Sequence, residues 1–222
     1  MEINNLKNRV HLTFDCESVG TSSDAVILGV AFVAYNLVEN ANTSLPELQK
    51  HQSFFRKLNV EEQVKVHYRK IESSTLDWWM KQSAEARKIL KPSAEDVDLQ
   101  TFFADLKKWL GTMSFSSSYG TVWTRGGIDM LWLDSLAKNI GLQELGQRPM
   151  RWYLVRDIRT AVDVLGASSK FNGMPDAYDE YMNGQIPNAG QIVHDPVFDC
   201  LKNIACLRVA GVFPSPEDLQ HD

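Results

Sequence analysis

Two acids two residues apart, Asp15 and Glu17, interrupt the apolar run HLTFDCESVGTSSDAVILGVAFVAYN. On a β-strand, residues i and i+2 point to the same face, which sets these carboxylates side by side. Like charges at that spacing repel unless a cation lies between them. The pair is therefore a candidate metal site; the alternative is a solvated strand end or a turn, where Asp and Ser are common. Cys16 between them faces the other way and reads as a packed, inert thiol. Farther on, in TVWTRGGID, Asp129 follows a strand and two glycines, which places it in the first turn of a helix at a strand's carboxyl end. Ligands bind along that edge of open α/β sheets, although an acid there also simply stabilises a helix N-terminus. In HDPVFDCLKNIACL, His194 precedes a helix and Asp199 lies inside it, at the rim of the face formed by Val197, Phe198 and Leu201. The structural alternative is that Asp195 caps the helix and His194 is a satisfied loop residue. Asp134 reads as a surface acid and Asp157 as a helix cap.

These residues need elements to hold them. Val10–Asp15 and Ala25–Tyr35 are rich in β-branched and aromatic residues and flank GTSSD, which predicts a hairpin of two buried strands. A polar loop over 36–49 is followed by a strand, Ser53–Leu58, and a strand-like extension, Val64–Ile71. Ser74 and Asp77 resemble a capping box that opens a helix running through LDWWMKQSAEARKIL to Pro92. Ser93 and Asp96 suggest another helix start, before an apolar face of Leu99, Phe102, Phe103, Leu106 and Leu110. Tyr119–Trp123 reads as a strand, Ile128–Asn139 as a helix, Trp152–Val155 as a short strand and Ile158–Leu165 as a helix. A long loop over 166–191 contains a short helix near Asp176–Met182, and a last helix covers Pro196–Val209. Strands first, then strands alternating with helices, indicate an α/β layered domain with a mixed sheet.

At 222 residues the chain can bury a full core as one domain. With 23% charged and 44% hydrophobic residues, its composition is that of a soluble globular protein. No stretch approaches the ~20 apolar residues of a membrane span, and the polar start MEINNLKNR is unlike a signal peptide, so no membrane partner is expected. Three cysteines without zinc-like spacing suggest reduced thiols and a cytoplasmic location. A net charge of −5 argues against a broad basic surface for nucleic acid. It leaves room for an enzyme that meets phosphates through bound divalent cations.

Taken in order, Asp-x-Glu on the first strand, Asp in a strand–Gly–Gly–helix corner and His-x4-Asp on the last helix resemble the DEDDh 3′–5′ exonucleases. The likeness runs from Val10 to about Val212. WTRGGIDMLWL is similar to that family's second motif. WYLVRDIRTAVDVLG and TLDWWMKQSAEA resemble the branch containing bacteriophage exonuclease A and the exonuclease-eight nucleases. Ile128 stands where the family often has Phe, and Pro196 where a small residue is usual; neither change removes an acid.

The resemblance implies a ribonuclease-H-like three-layer α/β fold, a mixed five-stranded sheet flanked by helices. It also implies a single exonuclease domain over 1–222 with its core at about 10–212. It further implies hydrolysis of phosphodiester bonds from the 3′ end, releasing nucleoside monophosphates. Asp15 would bridge two ions, Glu17 and Asp199 would complete the first site, and Asp129 would hold the second largely through water. Oxygen ligands suit Mg²⁺ or Mn²⁺ rather than structural zinc, and two such ions can activate water, neutralise the phosphate and assist the leaving oxygen. His194 is then the general base, and Glu17 with the backbone around Ser18 lies near the terminal 3′-hydroxyl. Trp78 and Trp79 diverge by about 100° on a helix, so at most one can floor the substrate groove; Trp78 is the substrate-binding candidate. The phage branch points to single-stranded DNA and, for a phage-encoded chain, to the host cytoplasm. An exoribonuclease with the same site is the alternative, as is a binding module without catalysis, although all five positions are filled.

Overall fold

The computed structural model describes residues 9–142, 148, 150–169, 173–188 and 194–213. Five strands form one sheet: β1 (Val10–Ser18), β2 (Ile27–Asn36), β3 (Ser53–Lys57), β4 (Thr121–Thr124) and β5 (Val155–Asp157), in the order β3-β2-β1-β4-β5. The first three pair antiparallel, while β4 runs parallel to β1 and β5 parallel to β4. Every residue of β2 is buried, without alternation, because helices cover both faces of the sheet.

The period of two along β1 divides its side chains between the two layers. Leu12, Phe14 and Cys16 enter the core shared with α4 (Leu99–Thr112) and α5 (Ile128–Asn139). Thr13 faces the opposite side, where its hydroxyl donates to the Cys200 carbonyl (3.1 Å) on α8 (Pro196–Val209). Asp15 and Glu17 follow Thr13 onto that face. The second core joins Ala31, Val33 and Tyr35 to α8, with help from α1 (Leu45–Gln52), α6 (Ile158–Val164) and α7 (Tyr178–Gln185). The expected mixed five-stranded α/β architecture is thus the one observed. Among the described residues no helix is long and apolar enough to cross a membrane.

Several local expectations are corrected. The polar loop expected over 36–49 contains the start of α1, capped by Ser44 and held by only two buried residues, Leu45 and Leu48. The strand-like extension expected at Val64–Ile71 is instead preceded and overlapped by α2 (Val60–Lys65), capped by Asn59. Its buried residue is Gln63, whose amide bonds both the N–H (2.9 Å) and the carbonyl (2.8 Å) of Ile27. A side chain therefore supplies what a neighbouring strand would have supplied.

The expected Ser74–Asp77 capping box is absent: α3 (Ser73–Met80) has Glu72 at its N-cap with no side-chain cap bond. Glu72 instead accepts from Thr21 N and Ser22 N, both at 3.0 Å, and fastens the β1–β2 turn. Helix α3 also stops at Met80, and Ala86–Leu90 forms a separate 3-10 turn. The start expected at Ser93–Asp96 lies at Asp98, which accepts from Thr101 N, because Lys57 holds Asp96 at 2.8 Å. Trp152–Leu154 is a 3-10 turn leading into β5 rather than part of the strand. The loop expected over 166–191 lies partly outside the described residues; its helix begins at Tyr178 and ends at Gln185.

Candidate active site

Three elements converge at the carboxyl ends of β1 and β4. The pairing of β1 with β2 shifts register between Glu17 and Ser18, an irregularity that re-aims the end of a strand. Past it, the Ser18 hydroxyl donates to Gly20 O (2.7 Å), and the Ser18 carbonyl accepts from the Trp79 indole (2.8 Å). Trp79 is fully buried, so α3 is fastened beneath the end of β1. The strand end carrying the two acids is therefore built into the core.

Helix α8 brings the third acid. Asp195 caps it, accepting from Phe198 N (3.0 Å), and the helix packs against β1 and β2 through Phe198, Cys200, Leu201 and Ile204. One carboxylate oxygen each from Asp15, Glu17 and Asp199 lie within 4.8 Å of one another. Asp129 arrives from the first turn of α5, where it is buried and accepts from the N–H of Cys16 (3.3 Å), between the two β1 acids. The corner that delivers it is pinned by Asp157. One Asp157 oxygen caps α6 through Thr160 N (2.7 Å), and the other accepts from Gly126 N (2.8 Å). Gly126 has φ +96°, the left-handed region that glycine enters without a Cβ penalty.

His194 completes the group. With φ +56°, its backbone turns just before α8. The ring packs edge-on to Trp78 (4.7 Å) and Trp79 (5.6 Å), and Nδ1 lies 3.7 Å from Glu17 Oε1. That is beyond hydrogen-bonding reach. Trp78 is 41% exposed and Trp79 is buried, so the two neighbours divide between surface and core. Asp134, in contrast, is spent on ion pairs with Lys138 and Arg148 away from this cluster.

The electrostatics are those of an under-compensated acidic cluster. Burial first, then the charges of Asp199 and Asp129, pushes the Glu17 carboxyl up to about 8. Burial raises Asp129 to about 7 against the pull of the Cys16 N–H, and burial with the neighbouring acids raises Asp15 well above its usual range. Two cations oppose this: Lys202, one turn beyond Asp199 on α8, bonds Asp199 Oδ1 at 2.6 Å and pulls Asp15 and Glu17 down, and Arg159 does the same for Asp129 from farther off. Burial lowers the His194 pKa from its usual range, which favours the neutral ring. Four carboxylates against the Lys202 ammonium and the more distant Arg159 guanidinium, all oxygen donors on well-packed elements, fit a divalent cation.

Lys202 and Asp157's hold on the corner were missed in the sequence. The spacing of three between Asp199 and Lys202 on one helix was the available signal for the first. Nothing local signalled the second, because Gly126 and Asp157 meet only across the β4–β5 pair.

A pH dependence follows from these shifts. A carboxyl whose pKa is raised by folding binds more protons folded than unfolded, so stability falls as pH rises between the two values. For Glu17 that window runs from 4.5 to about 8. In EDTA the melting temperature is therefore expected to fall across it, and added Mg²⁺ or Mn²⁺ should raise melting more near pH ~8 than near ~5.5. A cation at 100 times its Kd contributes about 2.7 kcal/mol. Thermal melts at both pH values, with and without the ion, check this; an equal response at both contradicts the assignment.

Residues 10–208 match the profile of the 3′–5′ exoribonuclease Rv2179c-like domain. The chain belongs to that family. It is thus a DEDDh-type 3′–5′ exonuclease of the ribonuclease-H-like superfamily, as the ordered motifs implied. It is also 25% identical over 206 residues to an exodeoxyribonuclease of Enterobacteria phage T4, covering 88% of this chain and 86% of that protein. Cell-death related nuclease 4 superposes over 93% of the chain with TM-score 0.53 and 17% identity. Exonuclease I does so over 96% with TM-score 0.54 and 11% identity. The chain spans 64% and 43% of those two structures, and at such identities the likeness is one of fold.

Proposed function

We propose that this exonuclease removes nucleoside monophosphates from the 3′ end of single-stranded DNA, using two Mg²⁺ or Mn²⁺ ions. The observation that carries this reading is the cluster of Asp15, Glu17 and Asp199 oxygens within 4.8 Å, with His194 beside it. Asp15, Glu17 and Asp199 would hold one ion, and Asp15 with Asp129 the other. Bound there, such ions neutralise the phosphate, favour ionisation of the attacking water and support the leaving oxygen. His194, its neutral form favoured by burial, takes the proton from that water. Glu17 and the backbone around Ser18 seat the terminal sugar, and Trp78, half exposed beside His194, stacks the terminal base.

The likeness to a phage exodeoxyribonuclease supports DNA, and the family's description as exoribonuclease supports RNA as the second reading. Digestion of matched 5′-labelled DNA and RNA oligonucleotides with Mg²⁺ or Mn²⁺ tests both. A descending ladder is expected, faster on DNA, and a 3′-phosphate should slow it sharply because the terminus must fit against Glu17. Faster RNA digestion would reverse the sugar assignment, and efficient cutting of circular single strands would contradict end recognition.

A further inference from the structure

On one side of the acidic cluster His194 packs edge-on to Trp78 and Trp79. On the reading that the 3′ terminus sits there, against Glu17 and Ser18, the opposite side, past Asp129 and the Gly126–Gly127 corner, is open to the rest of the strand. The surface beyond that corner is unlike the rest of this acidic chain. Four of the chain's ten arginines fall within residues 148–159, against a net charge of −5 overall; Arg148 pairs with Asp134, which leaves Arg151, Arg156 and Arg159 as the positive charge of this stretch.

Arg159 is exposed in the first turn of α6, and its charge reaches Asp129. It forms no hydrogen bond or close ion pair among the described residues. Its stem is nonetheless held in place: a Cβ built on Gly173 would lie 2.4 Å from Arg159 Cγ, so that loop closes against the aliphatic part of the side chain. At the other end of β5, in the turn that leads into the strand, Trp152 is 73% exposed. Together with Met130, Leu131 and Val155 it lines a cavity of about 330 Å³ that reaches Gly127 in the corner. Tyr153 stands edge-on to Trp152 (5.8 Å), and the Arg151 guanidinium lies over the Tyr153 ring (5.8 Å). Proteins that hold single strands combine these two ingredients, an aromatic face for a base and cations for the backbone.

We propose that the β5 edge is the track for the uncleaved strand, with Trp152 stacking a base upstream of the scissile bond and Arg159 holding a phosphate between that base and the site. Continuity with the acidic centre and the local positive charge favour a nucleic-acid strand as the occupant over an apolar protein segment.

Binding is measured by fluorescence anisotropy with a labelled single strand of roughly 12 nucleotides in EDTA, where hydrolysis does not confuse the reading. Trp152→Ala should weaken binding about tenfold, and Trp152→Phe, which keeps a stacking face, should restore most of it. Arg159→Gln should weaken binding and lower the slope of log affinity against log salt by ~0.7, one phosphate on a single strand. Both side chains are exposed, so melting temperatures near wild type are expected. Wild-type affinity in Trp152→Ala, or no measurable binding by the wild type, overturns the track. Failure of the catalytic reading is a separate result: no nucleotide release by the wild type with Mg²⁺ or Mn²⁺, whatever the binding data show.

Discussion

Asp15→Asn is expected to abolish nucleotide release while leaving the metal-free protein as stable as wild type or more so. Asp15 shares its space with Glu17 and Asp199 and lies near buried Asp129, and burial and their charges raise its pKa. Replacing it with a neutral isostere removes one of the repelling charges, so melting in EDTA near pH ~8 should shift upwards. The same change removes the acid assigned to both ions. A loss on the order of 10³-fold or more, about 4 kcal/mol of barrier, is expected in single turnover with Mg²⁺. Titration calorimetry should show weakened Mn²⁺ binding. A variant that keeps wild-type turnover, or a wild type fully active in excess EDTA, would sink the metal assignment.

His194→Ala should behave differently. The acids hold cations, whereas His194 is assigned a proton transfer worth typically ~10²–10⁴-fold, roughly 3–5 kcal/mol. Its Nδ1 stands 3.7 Å from Glu17, and no acid of the cluster depends on it for a hydrogen bond among the described residues. Mn²⁺ affinity and oligonucleotide affinity should therefore stay near wild type while the chemical step slows. The base works unprotonated, so wild-type rates should fall as pH drops through the His194 pKa, which burial lowers from its usual range. The variant should lose that acidic limb. Wild-type single-turnover rates across the limb would show that His194 is not the base.

A structural role for His194 predicts another pattern. The ring packs against Trp78 and Trp79, and Trp79 anchors the end of β1 through Ser18. If packing were its main contribution, His194→Ala would lower the melting temperature and disturb metal binding along with rate. Measuring all three in the same variant separates the two roles.

The chain's local chemistry by itself determined the ordered acids, the histidine and the long elements that carry them. Asp15 and Glu17 share a face because strand geometry has a period of two, and Cys16 is buried on the other face as that period requires. Helices Ile128–Asn139 and Pro196–Val209 were legible to the residue, because each has a clear start signal and a continuous apolar face. Asp195 and Asp157 cap the helices whose starts they mark. These features depend on contacts within a few residues, which is the range over which sequence patterns carry information.

Only the tertiary structure decided how those pieces meet. Glu72 abandons its own helix for the Thr21–Ser22 turn, Gln63 completes the start of β2 in place of a strand, and Asp157 pins the corner that delivers Asp129. The division of Trp78 and Trp79 between surface and core depended on where α3 docks beneath β1, although their divergence was already set by the helix. The electrostatics belong to this second class as well. A carboxyl is raised to about 8 at Glu17 because burial removes water and the charges of Asp199 on α8, Asp129 on α5 and Asp195 at the α8 cap converge on it. Desolvation and charge proximity are properties of the assembled site, and no single segment contains them.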